Sequence, residues 1–474
     1  MAEGAYVQDT WRHQNLTINA GLRYDYTPMP VNRLGLGPFD YSTGVYRWDR
    51  TNPITGAAPN MRPGGVPPDA HDFAPRLGVA YSITPRLVVR SSGGIFFNSF
   101  SSNYIQVAQS ERGNWPFDFP QTLNGLNAAT VDTVMPTIFQ TNPQGSATPS
   151  ACVQCLNIEQ GSSRTPYVAE WTFSVQYQLS HDLALQASYF GSKGTKLTAQ
   201  IIDNTTLYPG SSPIANRQLY PQFAPFVANG FNEFNSWYQG GALRLEKRFS
   251  HGFNYLVIYT YSKNLDQVDN LSNTVGSATS NPTRFNSGLN KGLAGFDLRH
   301  VLVASLIWEI PGHTNHKLLD AVVSGWRLGN IVTFHSGLPF SVIVFQDYAN
   351  IGGVGGRYPE YASLVEDPNA ISSRTPQQWF NTAAFTVPAN YTYGTAGRNI
   401  LHTDRLISDD LSLSKLWTVR EHSSIELRGE FFNLMNHPVF GYPDVFADDG
   451  PNFGSAGSTL NTARQVQLAV KVHF

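Results

Sequence analysis

The positions of this chain whose residue types and spacing could support chemistry are few. Cys152-Val153-Gln154-Cys155 is a CxxC pair, half of a four-ligand zinc site, with no thioredoxin-like βαβ pattern around it. It lies in a Gly/Ser/Pro-rich stretch, 142–166, where a local disulfide between Cys152 and Cys155 is the preferred reading and free thiols the alternative. Asp409-Asp410 could suggest paired carboxylates, but neighbouring strand residues point to opposite faces and cannot flank one substrate bond. The glycine-rich run 351–357 is followed by nothing helical that could hold a phosphate, so it reads as a loop. His300 and His437 stand beside Asp297 and Asn436, where strand-end hydrogen bonding is a simpler role than metal ligation. HExxH, P-loop and GxSxG patterns do not occur. The expectation is a protein that is not an enzyme, with no catalytic residues, no metal ligands and no cofactor.

The elements that position these residues announce themselves by strict two-residue alternation. In 16–26, Leu16, Ile18, Ala20, Leu22, Tyr24 and Tyr26 fall on one face, and Thr17, Asn19, Gly21, Arg23 and Asp25 on the other. Segments 171–180 and 465–474 repeat the pattern, and no segment carries a convincing helical stripe. About thirteen strands are expected: 4–11, 16–26, 73–82, 87–97, 167–179, 183–191, 237–249, 253–262, 300–310, 326–336, 405–416, 423–433 and 464–474. Short links alternate with long ones from end to end. That two-sided arrangement describes a membrane β-barrel with periplasmic turns and extracellular loops, whereas a soluble sandwich has no reason to keep it.

Composition agrees. Over 474 residues the charged fraction is 14% and the aromatic fraction 13%, while the net charge of −2 offers no basic field for nucleic acid. Mean hydropathy is −0.24, and apolar runs such as 301–308 are too short for a membrane helix. With the aliphatic face in lipid, Arg23, Asp25, Arg90, Arg244, Glu246, Arg248, Glu426, Arg428, Glu430 and Lys471 line the lumen. There they could contact a charged substrate or a plug, or pair with one another across the wall. Asp9, in step with Val7 and Trp11, is an exception. Aromatic-rich loop residues Tyr208, Tyr220, Phe223 and Tyr238 are the candidate ligand contacts, since rings suit sugar and peptide faces; loop packing is the alternative.

Strand direction adds an expectation. If the last strand ends in the periplasm, thirteen alternating strands place the first residue at the cell surface, and no signal peptide precedes it. The sequence is thus expected to be the carboxy-terminal part of something larger.

At this point particular motifs become recognisable. Tyr6-Val7-Gln8-Asp9-Thr10-Trp11 followed by Leu16-Thr17-Ile18-Asn19-Ala20-Gly21-Leu22-Arg23-Tyr24 resembles a hairpin of TonB-dependent outer-membrane receptors, as does Phe73-Ala74-Pro75-Arg76-Leu77-Gly78 with Ala80-Tyr81. Segments 259–266, 296–300 and Phe432-Asn433-Leu434-Met435-Asn436-His437-Pro438 resemble the Oar-like subgroup, of acidobacterial type. The terminal pattern Val470, Val472, Phe474 is similar to the aromatic signal read by the barrel-assembly machinery. The resemblance implies a plugged barrel of 22 strands of which about nine are missing here, along with the signal peptide, regulatory-like domain and plug. It implies outer-membrane lipid, the barrel-assembly machinery, an extracellular ligand and, through the missing amino-terminal part, the TonB complex as partners. Uptake or surface binding of a large ligand (carbohydrate, peptide or metal chelate) is the function it suggests. The alternatives are a passive porin-like barrel and a soluble all-β carbohydrate-binding protein.

Overall fold

A computed structural model of the chain describes residues 3–26, 36–40, 45–51, 56–61, 69–98, 164–203, 206–218, 221, 226–268, 291–352, 360–420 and 423–474. Cys152, Cys155, Tyr220, Phe223 and most of the glycine run lie outside the described residues.

Alternation becomes one long antiparallel meander. Its strands are β1 (Glu3–His13), β2 (Leu16–Tyr26), β3 (Asp72–Thr84), β4 (Leu87–Phe97), β5 (Tyr167–Gln178), β6 (Leu183–Asp203) and β7 (Phe226–Ser250). They continue as β8 (Phe253–Asp266), β9 (His300–Glu309), β10 (Trp326–His335), β11 (Leu406–Arg420), β12 (Ser423–Phe432) and β13 (Gln465–His473). Each pairs with its neighbours in this order, and the two-residue strand Gly292–Leu293 joins the upper end of β8 as a fourteenth member. The sheet is bounded by β1 on one side and β13 on the other.

Residues directly opposite one another across an antiparallel pair share a face, so one surface can be followed through the whole sheet. It runs through Arg23–Ala74, Arg76–Gly94, Arg90–Ser174, Gln176–Gln186 and Gln186–Arg244. It continues through Arg244–Ile258, Ile258–Val303, Val303–Thr333, Thr333–Ser408, Ser412–Glu430 and Glu426–Lys471. The charged residues expected in the lumen therefore stand on a single face of a sheet whose register was set independently on each strand. The opposite face presents Leu22, Leu77, Phe173, Leu185, Leu243, Tyr259, Trp308 and Leu468, all well exposed. In water such a surface would be an aggregation hazard; in lipid it is the required one. Asp9 does stand on that lipid side, opposite Ala20, with its carboxylate accepting the Thr10 N–H at 2.8 Å.

The links between strands follow the two-sided plan. The β7–β8 turn needs only His251 and Gly252, with φ of 51° and 81°. Positive φ at both central residues is the hairpin geometry that matches strand twist, and glycine adopts it without steric cost. On the other side the links are long, and β6 and β7 reach 21 and 25 residues, well past the roughly 9–11 a membrane strand needs. Their pairing persists to Asp203–Phe226, so the hairpin stands clear of the bilayer.

A short α-helix, α1 (Lys317–Val323), breaks the all-strand expectation within the β9–β10 link. Seven residues are too few to show a stripe in sequence. It exposes Leu318 and Val322, and Trp417 and Trp326 donate their indole N–H groups to the Ala321 and Val322 carbonyls at 2.8 and 2.9 Å. Lys415 lies between the two indoles, 5.2 Å from each ring, with its ammonium on the Ser324 carbonyl. A lysine on the lipid face is thus held at the interfacial aromatic girdle by cation–π contact and a backbone acceptor.

Candidate functional site: the lumenal wall and its extracellular platform

On the lumenal wall the ionic contacts run mainly along single strands. Arg23 meets Asp25 at 2.8 Å, Arg244 meets Glu246 at 2.9 Å, and Arg428 meets Glu426 at 2.6 Å and Glu430 at 3.6 Å. Residues two apart on a strand share a face, which makes these contacts possible without a neighbouring strand. Arg90 instead donates across to Gln176 at 2.8 Å, and Arg327 reaches Glu309 across β9–β10 at 2.7 Å. Arg248 is exposed on the same face. Between these polar regions lies an apolar strip. Leu256, Ile258, Val303, Ile307 and Ile331 all share the lumenal face, and Val303, Ile307 and Ile331 are exposed there.

Above the wall the long links fold on one another. The β10–β11 link and the β12–β13 link share one hydrophobic core: Phe340, Val342, Ile343, Val344, Phe380, Phe385 and Leu401 from the first, with Ala456 from the second. Phe380 packs edge-on against Phe385 at 5.6 Å and Phe453 at 5.3 Å. Backbone bonds lace the two together, from the Ile343 N–H to the Val445 carbonyl at 2.9 Å and from the Ala447 N–H back to Ile343 at 2.8 Å. Asp448 accepts the Phe345 and Gln346 N–H groups at 2.9 to 3.1 Å. These loops therefore have a fixed form of their own.

The β6–β7 link joins this platform through Arg217. Its side chain is buried and donates to three carbonyls, Tyr208 at 2.7 Å, Asn350 at 2.6 Å and Ser212 at 3.0 Å. Asn350 returns a bond to Gly210 at 2.8 Å. Nearby, Glu360 is buried beside Asp347 and accepts the Ala349 N–H. Burial first, then the Asp347 carboxylate, pushes the Glu360 carboxyl up to about 9, so it is protonated at neutral pH and donates to Asp347. The platform is seated on the sheet where Arg398 meets Asp266 at the end of β8.

The candidate ligand aromatics separate. Tyr208 is exposed on the platform's edge. Tyr238 is on the lumenal face of β7, opposite Ser192 and stacked on Phe190 at 5.8 Å. Val470 and Val472 are on the lipid side of β13 and exposed, and Phe474 follows the strand end. His300 accepts or donates a 2.8 Å bond with Tyr259, a strand-end role, whereas Nδ1 of His437 is buried without a partner among the described residues. Arg217, Glu360 and Arg398 gave no signal in the sequence, since only tertiary contact distinguishes them from surface charges. Among the described residues no cluster of three or more His, Cys, Asp or Glu side chains is placed to hold a metal ion.

The sequence matches the family described as outer membrane beta barrel domain over residues 1–467, and the chain belongs to that family. Its strands cross the cell outer membrane. Among solved structures it is similar to the outer membrane transporter YddB from Escherichia coli, at 11% identity and a TM-score of 0.50, over 100% of this chain and 45% of that one. It is also similar to the FrpB iron transporter from Neisseria meningitidis, at 10% identity and a TM-score of 0.43, over 99% of this chain and 44% of that one. The ferripyoverdine receptor of the Pseudomonas aeruginosa outer membrane gives 10% identity and a TM-score of 0.44, over 100% and 38%. The chain spans less than half the length of each, and at these identities the likeness is one of fold. No curated protein matches the sequence.

Proposed function

We propose that the chain is the carboxy-terminal arc of an Oar-like, TonB-dependent outer-membrane receptor that takes up, or holds at the surface, a large ligand such as a carbohydrate, peptide or metal chelate. The observation that carries this reading is the platform: three extracellular links ordered around one core and one buried arginine, directly above a lumenal face of alternating charge. Passive diffusion does not require such a fixed, aromatic-rich surface, whereas ligand capture does.

Two further observations support it. Among the described residues no strand pairs with the outer edge of β1 or of β13, and an open edge in hydrocarbon leaves backbone N–H and C=O groups without partners. Further strands of the same barrel would satisfy both. The apolar strip around Val303, Ile307 and Ile331 suits contact with a lumenal plug better than a water-filled passage, which disfavours the porin-like reading. The motifs at 6–24, 73–81 and 432–438 are what favour the TonB-dependent, Oar-like assignment.

Planar-bilayer recording of the full-length gene product separates the readings. A plugged receptor gives bilayers that stay silent until denaturant loosens the plug; steady ohmic conductance in plain buffer would establish the porin instead.

A further inference from the structure

At the extracellular rim, outside the lumen and against the flank of the platform core, lies a cleft of about 610 Å³ bordered by Arg299, Phe334, Arg374, Trp379, Arg405 and His437. We infer that this cleft binds the phosphate of a phosphorylated glycolipid headgroup in the outer leaflet.

Charge is the first ground. Three arginines border the cleft, and the one carboxylate on its wall, Asp404, is already engaged by the Arg405 and Phe440 backbone N–H groups at 2.8 and 3.2 Å. Asp297, beneath Arg299, accepts the Asn264 N–H at 2.5 Å and meets the guanidinium only at 3.4 Å. Burial, opposed by Asp297 and reinforced by Arg374 and Arg299, holds the neighbouring His402 imidazole below its ordinary range.

Unmet hydrogen-bonding capacity is the second. Nε of Arg299 and Nδ1 of His437 are both buried with no partner among the described residues, and both residues border this one cleft. A buried guanidinium N–H left unpaired is destabilising, and a bound anion relieves it. The planar guanidinium fork is matched to phosphate oxygens.

Position identifies the source of the phosphate. Phe334 stands opposite Leu302 and Ile407 on the lipid side of β10, and the Arg299 guanidinium sits 5.9 Å above the ring of Tyr261, a lipid-side residue of β8. The cleft therefore opens where strands leave the hydrocarbon, at the depth of headgroups. Trp379, buried under Arg374 at 5.7 Å with its indole N–H on the His402 carbonyl, holds that arginine at the cleft. The chemistry is that by which basic pockets between membrane helices hold phosphorylated headgroups on the cytoplasmic side.

The test uses the full-length protein in nanodiscs and measures retention of bis-phosphorylated lipid A against its dephosphorylated form by native mass spectrometry. Arg374 and Arg405 are exposed, so the Arg374→Gln/Arg405→Gln pair leaves the fold intact, which heat-modifiable gel mobility checks. The expected result is a preference of about tenfold or more for the phosphorylated lipid, reduced about tenfold in the double variant. Equal retention of the two lipids overturns the inference. So does displacement of the lipid by an equimolar soluble sugar phosphate, which would assign the cleft to a soluble ligand.

Discussion

Arg398 and Asp266 lie 2.7 Å apart with side chains only 1% and 5% exposed, and the same arginine donates to the Asp266 carbonyl at 3.0 Å. This contact ties the platform to the upper end of β8. Breaking a buried pair strands a charge and costs about 3–5 kcal/mol, while replacing both partners by neutral groups costs far less. Arg398→Ala is expected to raise the rate of proteolytic cleavage within 336–405 by at least tenfold in folded protein. Arg398→Met with Asp266→Asn is expected to recover most of that protection.

Glu360 gives the platform a pH dependence of defined sign. Its carboxyl rises from an ordinary value of 4.5 to about 9 in the folded protein, so between those values the folded form holds a proton that the unfolded form releases. The stabilisation is complete below pH 4.5, falls as pH rises through the window and is gone above about 9. Hydrogen exchange at Ala349 and Ile351 should therefore quicken from pH 5 to 9 beyond its intrinsic base catalysis. Glu360→Gln, which keeps a donor toward Asp347 without a titrating group, should abolish the excess.

Arg217, itself buried, supplies three carbonyls at once. Arg217→Ala removes all three of these charge-assisted bonds, at roughly 1.5–3 kcal/mol for such a bond to a charged group. The loss should appear as faster exchange confined to 206–218 and 347–352, with the sheet unchanged. Uniform destabilisation of the sheet would show that the contact is not local.

Much of this architecture was legible in sequence because a membrane strand has two chemically different faces. Alternation in 16–26 or 253–262 reports the register directly, and each expected segment coincides with an observed strand of the meander. The expected ends of β6 and β7, at 191 and 237, fell short of Asp203 and Phe226. Beyond the bilayer no lipid enforces a face, so pairing continues without the pattern that reveals it. The platform was hidden for a related reason. Phe340, Phe380 and Phe385 are spaced by loop geometry without a period, and they become a core only when 336–405 meets 433–464. Nor could charge alone have singled out Arg217 or Glu360, whose roles depend on carbonyls and carboxylates distant in sequence. Helix α1 was too short to register, although Trp326 and Trp417 mark the girdle on which it lies.

The central claim is that one face of this sheet meets lipid and the other the lumen, and two adjacent residues of β6, away from the apolar strip, test it most directly. Ala187, paired with Val175 and Leu243, is on the lipid side; Ser188, paired with Ser174 and Ala242, is on the lumenal side. Urea titration of full-length protein folded into lipid vesicles should show Ala187→Arg destabilised by about 2–4 kcal/mol, with Ser188→Arg costing under about 1 kcal/mol. Equal costs at the two positions, or a larger cost at Ser188, would contradict the account.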